Sequence, residues 1–156
     1  MAGAVHRYRA RCSWRGSTAE GYERYDRGHV AGAPPAEAQL ALSGDAAFGG
    51  DPARLNPEQL FVIAASSCQL LSFLAVAARA RIDVRSYEDE AEAVMPEDDP
   101  PTRLTRIVLR PRIVVAEGPT EDRVRRLAEL AHRECYIANS ALTESVVEPA
   151  IEIVAA

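Results

Sequence analysis

"NPEQLFVIAASSCQLLSFLAVAARA", from Asn56 to Ala80, decides how this chain folds. Asparagine is a good N-cap, proline suits the first helical position and glutamate suits the positive end of a helix, so Asn56-Pro57-Glu58 opens a helix running to about Ala80. From Leu60 to Ala78 there is no charged residue, a window of 19. By length that qualifies as a membrane span. Ser66, Ser67, Gln69 and Ser72 at its centre speak against one, as does the soluble pattern of the rest of the chain. A helix buried all round fits better. A single sheet in one subunit covers one side of it. The other side needs another helix, most simply that of a second copy, and small residues at Ala64, Ala65, Ser72 and Ala75 permit close approach. This stretch therefore predicts a homodimer, with Cys68 in the interface.

Strands are expected on both sides of the helix. Residues 5–14 alternate, with Tyr8, Cys12 and Trp14 on one face and Arg7, Arg9 and Arg11 on the other, the pattern of a half-buried antiparallel strand. Tyr22–Val30 reads as a second strand and Ala38–Leu42 as a third, before the turn-rich loop "SGDAAFGGDPARL". Beyond the helix, the acidic run "IDVRSYEDEAEAVM" and the basic run "RLTRIVLRPRIVV" suggest a hairpin with cross-strand ion pairs. Pro119 and Thr120 start a second helix, on which Val124, Leu127, Ala128, Ala131 and Cys135 share a face. "TESVVEPAIEIV" closes the chain as a strand. The order predicts an α+β fold in one domain over 1–156, with no repeat or linker.

Composition narrows the partners. A formal charge of -5 argues against nucleic acid, whose phosphates call for a basic field. All 18 basic residues are arginine, which reads as coding bias. Three cysteines, no CxxC and no apolar stretch near the N-terminus argue against a secreted disulfide framework, so the expected compartment is the cytoplasm, with reduced thiols.

The thiols are the candidate chemistry. Free cysteine is commonly a buried, inert filler. Around Cys68, however, Ser66, Ser67 and Gln69 need partners or water, which suggests a pocket. Cys135 points into the core from the second helix, and two such cysteines can meet and cycle between dithiol and disulfide. Cys12, beside Tyr8 and Trp14, reads as packing.

"NPEQLFVIAASSC", followed after 66 residues by "CYIANS", resembles the OsmC/Ohr family of thiol-dependent hydroperoxide reductases. "YDRGH", "SYEDEAEAVM" and "HRECYIANSALTESVVEP" are similar to an OsmC-like branch of it. The resemblance implies an intertwined homodimer, with a curved antiparallel sheet around central helices and two active sites at the subunit interface. It implies that Cys68 is the peroxidatic cysteine and Cys135 the resolving one. Glu58 matches the glutamate of the NPE motif, and Arg27 the arginine that holds the thiolate, with Arg24 close enough to compete for that match. It implies no bound cofactor; an external dithiol, suggested to be a dihydrolipoyl protein, would be the reductant. Tyr136-Ile137 stands where the Ohr branch has a proline-containing stretch, which bears on substrate preference.

Elementary chemistry agrees with that assignment. A free thiol ionises with a pKa of about 8.5, and burial opposes ionisation, so a positive charge is needed near Cys68. Arg27 can supply it and Glu58 can orient Arg27. Glu58 and Cys68 are ten residues apart, or ~15 Å along a straight helix. Either the helix breaks near Ser66–Ser67 or Glu58 serves the Cys68 of the other subunit. Phe61, Leu71 and Phe73 read either as an apolar lining that would favour an organic hydroperoxide or, equally, as ordinary core. Three other readings compete. A metal could be held by Cys68, His132, Cys135 and His29, but their spacing lacks the paired pattern of zinc sites, and His132 reads as a surface or helix-end residue. A Cys-His hydrolase lacks any oxyanion-type element after Cys68. A non-catalytic stress protein or binder of small hydrophobic ligands would need neither cysteine.

Overall fold

The computed structural model describes residues 3–155, and the α+β class holds. The chain divides into two compact units, one up to Leu60 and one from Phe61 onward.

In the first unit, strands β1 (Arg11–Ser13), β2 (His29–Gly32) and β3 (Gln39–Leu42) form an antiparallel sheet in that order. The alternation over 5–14 overstates β1: only Arg11–Ser13 pairs, and all three residues are exposed. The second strand begins at His29 rather than Tyr22. Gly21 adopts a left-handed φ of 90°, and the Asp26 carboxylate accepts the Gly28 N–H at 2.7 Å, so local turns take the tyrosine-rich run out of extended conformation. Helix α1 (Pro57–Arg79) follows a loop and starts as its sequence predicts. Asn56 Oδ1 accepts the Gln59 N–H at 2.8 Å, while Gln59 Oε1 accepts the Asn56 N–H at 3.0 Å, a reciprocal capping box. The helix is continuous through Ser66 and Ser67, so the break considered there does not occur.

The second unit holds β4 (Val84–Asp89), β5 (Glu92–Val94), β6 (Arg106–Leu109), β7 (Pro111–Ala116), α2 (Glu121–Glu134), α3 (Tyr136–Ser140), β8 (Glu144–Val147) and β9 (Ala150–Val154). Each of the three runs expected as one strand is broken in the middle. The halves go to two sheets, β4-β7-β9 and β5-β6-β8. Pro111 and Pro149 lack the N–H that a continuous ladder would use. At the break the Arg110 N–H donates to Asp89 Oδ1 at 2.7 Å, and the Glu148 N–H to the Leu109 carbonyl at 2.8 Å. The acidic and basic runs do pair antiparallel, β4 with β7 and β5 with β6. Arg110 meets Glu92 at 3.1 Å across β5 and β6, but Arg112 chooses Glu152 on β9 over Glu88, its opposite number on β4. These pairs are exposed and individually worth at most about 1 kcal/mol. The expected all-antiparallel sheet is corrected here: β8 and β9 run parallel to β6 and β7.

Phe73, Val76 and Ala77 of α1 pack with Ile113 and Val115 of β7 and with Val124, Ala128 and Ala131 of α2. A smaller cluster joins Ala65 to Ile107 and Leu109, with Phe61 and Ile137 against it. Within one chain α1 is buried along one stripe, and Ile63, Leu71 and Leu74 are exposed. By length and composition it is the one helix among the described residues apolar enough to cross a membrane.

Asp89 ties α1 to the strand break, because Ser66 Oγ–H also donates to its Oδ2 at 2.5 Å. Losing a carboxylate that serves two donors strands both of them. Asp89→Ala should lower the unfolding free energy by about 2 kcal/mol in urea titration, and Ser66→Ala by less. Equal effects of the two substitutions would contradict this assignment.

Candidate functional site

Cys68 stands on α1, and Cys135 occupies the junction of α2 with α3. The junction exists because Cys135 leaves helical geometry, with φ -66° and ψ 117°. Its N–H still bonds the His132 carbonyl at 3.2 Å, and the Asn139 amide donates to the Arg133 and Cys135 carbonyls at 2.9 Å each. Carbonyls orphaned by the end of α2 are thus satisfied, and the chain can restart as α3. The restart brings the Ile137 N–H to 3.5 Å from Cys68 Sγ and sets the Cys135 thiol close enough to bear on the ionisation of the same sulfur.

Electrostatics make the two thiols unequal. Burial works against ionisation of Cys68, yet its thiol is held below the ordinary range. The Ile137 N–H, the Cys135 thiol, the Tyr136 N–H and the Ser72 hydroxyl together outweigh the burial. Cys135 is pushed up to about 11 by burial, by donating its own proton to Cys68 and by the negative charge there, against the N–H groups of Ala138 and Ile137. Of the two, Cys68 is the thiol that ionises the more readily and Cys135 the one that keeps its proton. The donors that lower Cys68 are the amide groups of α3 and neighbouring side chains, so within the second unit no arginine is needed for the effect. Sequence reasoning missed α3. Five residues are too few to show helical periodicity, and Asn139 as a cap for the preceding helix was the available signal.

In the first unit, Arg27 and Glu58 line one cavity of about 550 Å³ together with Trp14, Tyr22 and Tyr25. The Arg27 guanidinium lies 4.7 Å from the Tyr22 ring centre and 4.2 Å from that of Tyr25. It donates to the Tyr22 carbonyl at 2.8 Å and to the Tyr25 carbonyl at 3.0 Å. Gly49, at a φ of 78°, leaves room for it: a Cβ there would stand 3.0 Å from the guanidinium carbon. Carbonyls and rings, not Glu58, hold Arg27; among the described residues it has no ion pair. Of a guanidinium's five N–H groups, two are used in these bonds. Arg24 is exposed and off the cavity wall, which separates it from Arg27.

Several expected assignments change. The polar residues around Cys68 do not line one pocket with it: Ser66 and Ser67 line a cavity of about 370 Å³ with Tyr87 and Asp89, and Cys68 is not on that wall. Gln69 is buried and bonded to the Ala128 carbonyl at 3.0 Å. Phe61, Leu71 and Phe73 form no common lining; Phe73 is core, Leu71 is exposed and Phe61 packs on the smaller cluster. Cys12 is exposed and lines the Arg27 cavity instead of packing. His132 lies at the helix end, in the last turn of α2, but is half-buried with both ring nitrogens engaged, and His29 bonds the Arg27 carbonyl at 2.8 Å. No group of three metal-ligating side chains occurs among the described residues.

A helix-spanning thiol pair set against small mixed sheets is an arrangement with known relatives. The family model for OsmC-like proteins matches residues 49–149, and the chain belongs to that family. That segment includes Glu58, Cys68 and Cys135 but not Arg27. An OsmC-like protein of unknown function from Vibrio cholerae is 31% identical, with a TM-score of 0.85 over 94% of this chain and 100% of its own. An organic hydroperoxide resistance protein OsmC from Legionella pneumophila superposes with a TM-score of 0.70 at 19% identity, over 96% of this chain and 99% of its own. One from Elizabethkingia anophelis gives 0.71 at 18% identity, over 97% and 99%. These last two likenesses show the fold. A search of curated proteins found no match.

The inequality of the thiols has a direct consequence. Iodoacetamide should label Cys68 with a pH midpoint below that of an ordinary thiol. Cys135→Ala removes a donor to the thiolate, so the midpoint should rise and the labelling rate at neutral pH should fall roughly threefold to tenfold. A midpoint unmoved by Cys135→Ala would show that the contact contributes nothing to ionisation.

Proposed function

We propose that this protein is a thiol-dependent peroxidase that reduces organic hydroperoxides to alcohols. The observation that carries the proposal is the contact of an activated thiol, Cys68, with a protonated one, Cys135. The Cys68 thiolate attacks the terminal peroxide oxygen. The O–O bond breaks, the alkoxide takes a proton and leaves as the alcohol, and Cys68 becomes a sulfenic acid. Loss of the thiolate charge removes one of the causes that hold the Cys135 proton. Cys135 then attacks the sulfenic sulfur, water leaves and a Cys68–Cys135 disulfide forms. An external dithiol, on the family resemblance a dihydrolipoyl protein, restores both thiols by exchange in the cytoplasm.

The reading includes a homodimer. The exposed Ile63, Leu71 and Leu74 give α1 an apolar face for a second copy. On the continuous helix Glu58 stands ~15 Å from its own Cys68 along the axis. Glu58 and Arg27 are therefore assigned to the Cys68 of the partner subunit, where the remaining Arg27 donors would hold the peroxide or the thiolate. The cavity of about 550 Å³, with its aromatic walls, also supports a second reading as a non-catalytic binder of small hydrophobic ligands.

Cumene hydroperoxide separates the two. Reduced protein should lose two thiols per chain on treatment, and Cys68→Ser should abolish the loss. An unchanged thiol count would sink the peroxidase and leave the binder.

The shared site has its own check. Coexpressed Glu58→Ala and Cys68→Ser chains should recover peroxidase activity through mixed dimers that contain one intact site. Activity no higher than that of either variant alone would place Glu58 outside the partner's site.

A further inference from the structure

Gln69 is fully buried in α1, one residue beyond Cys68. A buried amide needs partners at both of its ends. Its Nε2–H donates to the Ala128 carbonyl of α2 at 3.0 Å, which turns Oε1 toward His132 Nδ1 at 3.2 Å. His132 stands one turn beyond Ala128 and three residues before Cys135. Its other nitrogen, Nε2, reaches the Ser145 carbonyl of β8 at 2.7 Å. A carbonyl oxygen only accepts, so Nε2 donates. Gln69 Oε1 only accepts as well, so the ring stands between two acceptors, one on α1 and one on β8. One half-buried imidazole thus joins the helix carrying Cys68, the last turn before Cys135 and a strand of the β5-β6-β8 sheet.

Phe73, Val76 and Ala77 of α1 meet α2 through apolar packing, and Arg123 of α2 reaches the Ala80 carbonyl only beyond the end of α1. Ala128 and Ala131 are small and fully buried, and apolar packing alone is non-directional. The contact between the thiols, by contrast, depends on the register of the two helices. Hydrogen bonds with defined geometry supply that register.

From this network we infer that His132, acting through Gln69, is a positioning residue that fixes Cys135 against Cys68. It touches neither thiol. Its consequence for catalysis rests on the peroxidase reading above; its geometry does not.

The test uses full-length protein and diamide, a thiol oxidant that forms disulfides without any peroxide. His132→Gln offers a donor to the Ser145 carbonyl but drops the Gln69 contact. His132→Asn offers a polar group near the Nδ1 position and keeps it. Disulfide formation should slow roughly tenfold in His132→Gln and in Gln69→Leu, and the Cys68 alkylation midpoint should rise in both. His132→Asn should stay near the wild type in both measurements. A folded His132→Gln with wild-type rate and midpoint would overturn the inference. Should the variants not fold, ring-nitrogen magnetic resonance of wild-type His132 decides. Two hydrogen-bonded nitrogens whose signals change when the disulfide forms support the inference; signals of a freely exchanging ring, or signals indifferent to the thiols, overturn it. Failure of the wild type to react with peroxide would remove the peroxidase reading and leave the diamide result standing.

Discussion

Cys135 stands against the sulfur of Cys68, and that contact makes the two thiols ionise unequally. A thiol buried in apolar surroundings resists ionisation. Here the resistance is overcome by donors: amide groups at the start of α3, a hydroxyl one helical turn along α1 and the neighbouring thiol. Burial pushes Cys135 up to about 11, and the contact with Cys68 adds to that. One contact therefore prepares an attacking thiolate and stores a second thiol in its resting form.

Placing two sulfurs this way constrains the backbone around them. Helix α2 must stop at Cys135, and α3 must begin at Tyr136 in order to present its amides. The Asn139 side chain makes the stop tolerable by covering the Arg133 carbonyl and adding a bond to the Cys135 carbonyl, which already accepts the Asn139 N–H. On the opposite side of the site, α1 is held to the strand break through Ser66 and Asp89 and to α2 through Gln69. The broken strands belong to the same design. With Pro111 and Pro149 interrupting the ladders, the chain crosses from one small sheet to the other at the level where Asp89 meets the helix.

Local signals in the sequence were legible. Asn56-Pro57-Glu58 and Thr120 mark helix starts through capping chemistry that involves neighbours three residues away, and both helices begin there. The strand breaks are hidden despite Pro111 and Pro149, because alternation continues on either side of each proline. Helix α3 is too short to carry a period. A buried arginine calls for a carboxylate on general grounds, whereas the bonds of Arg27 go to main-chain carbonyls that no pattern in the sequence marks. The pairing of Cys68 with Cys135 came from family resemblance; a separation of 66 residues says nothing about contact by itself. Family membership carries the fold further than the chemistry, since the matched segment omits Arg27 and the 31%-identical relative has no known function.

The inequality of the two thiols is the central claim, and it can be measured without any substrate. Ultraviolet absorbance of thiolate, followed through a pH titration of the reduced protein, reports each ionisation. One thiolate should appear below the ordinary thiol range and be missing in Cys68→Ser, while a second should appear only well above that range and be missing in Cys135→Ser. A titration in which Cys68 ionises no earlier than an ordinary thiol, or in which both cysteines ionise together, would contradict the assignment of Cys68 as an activated thiolate.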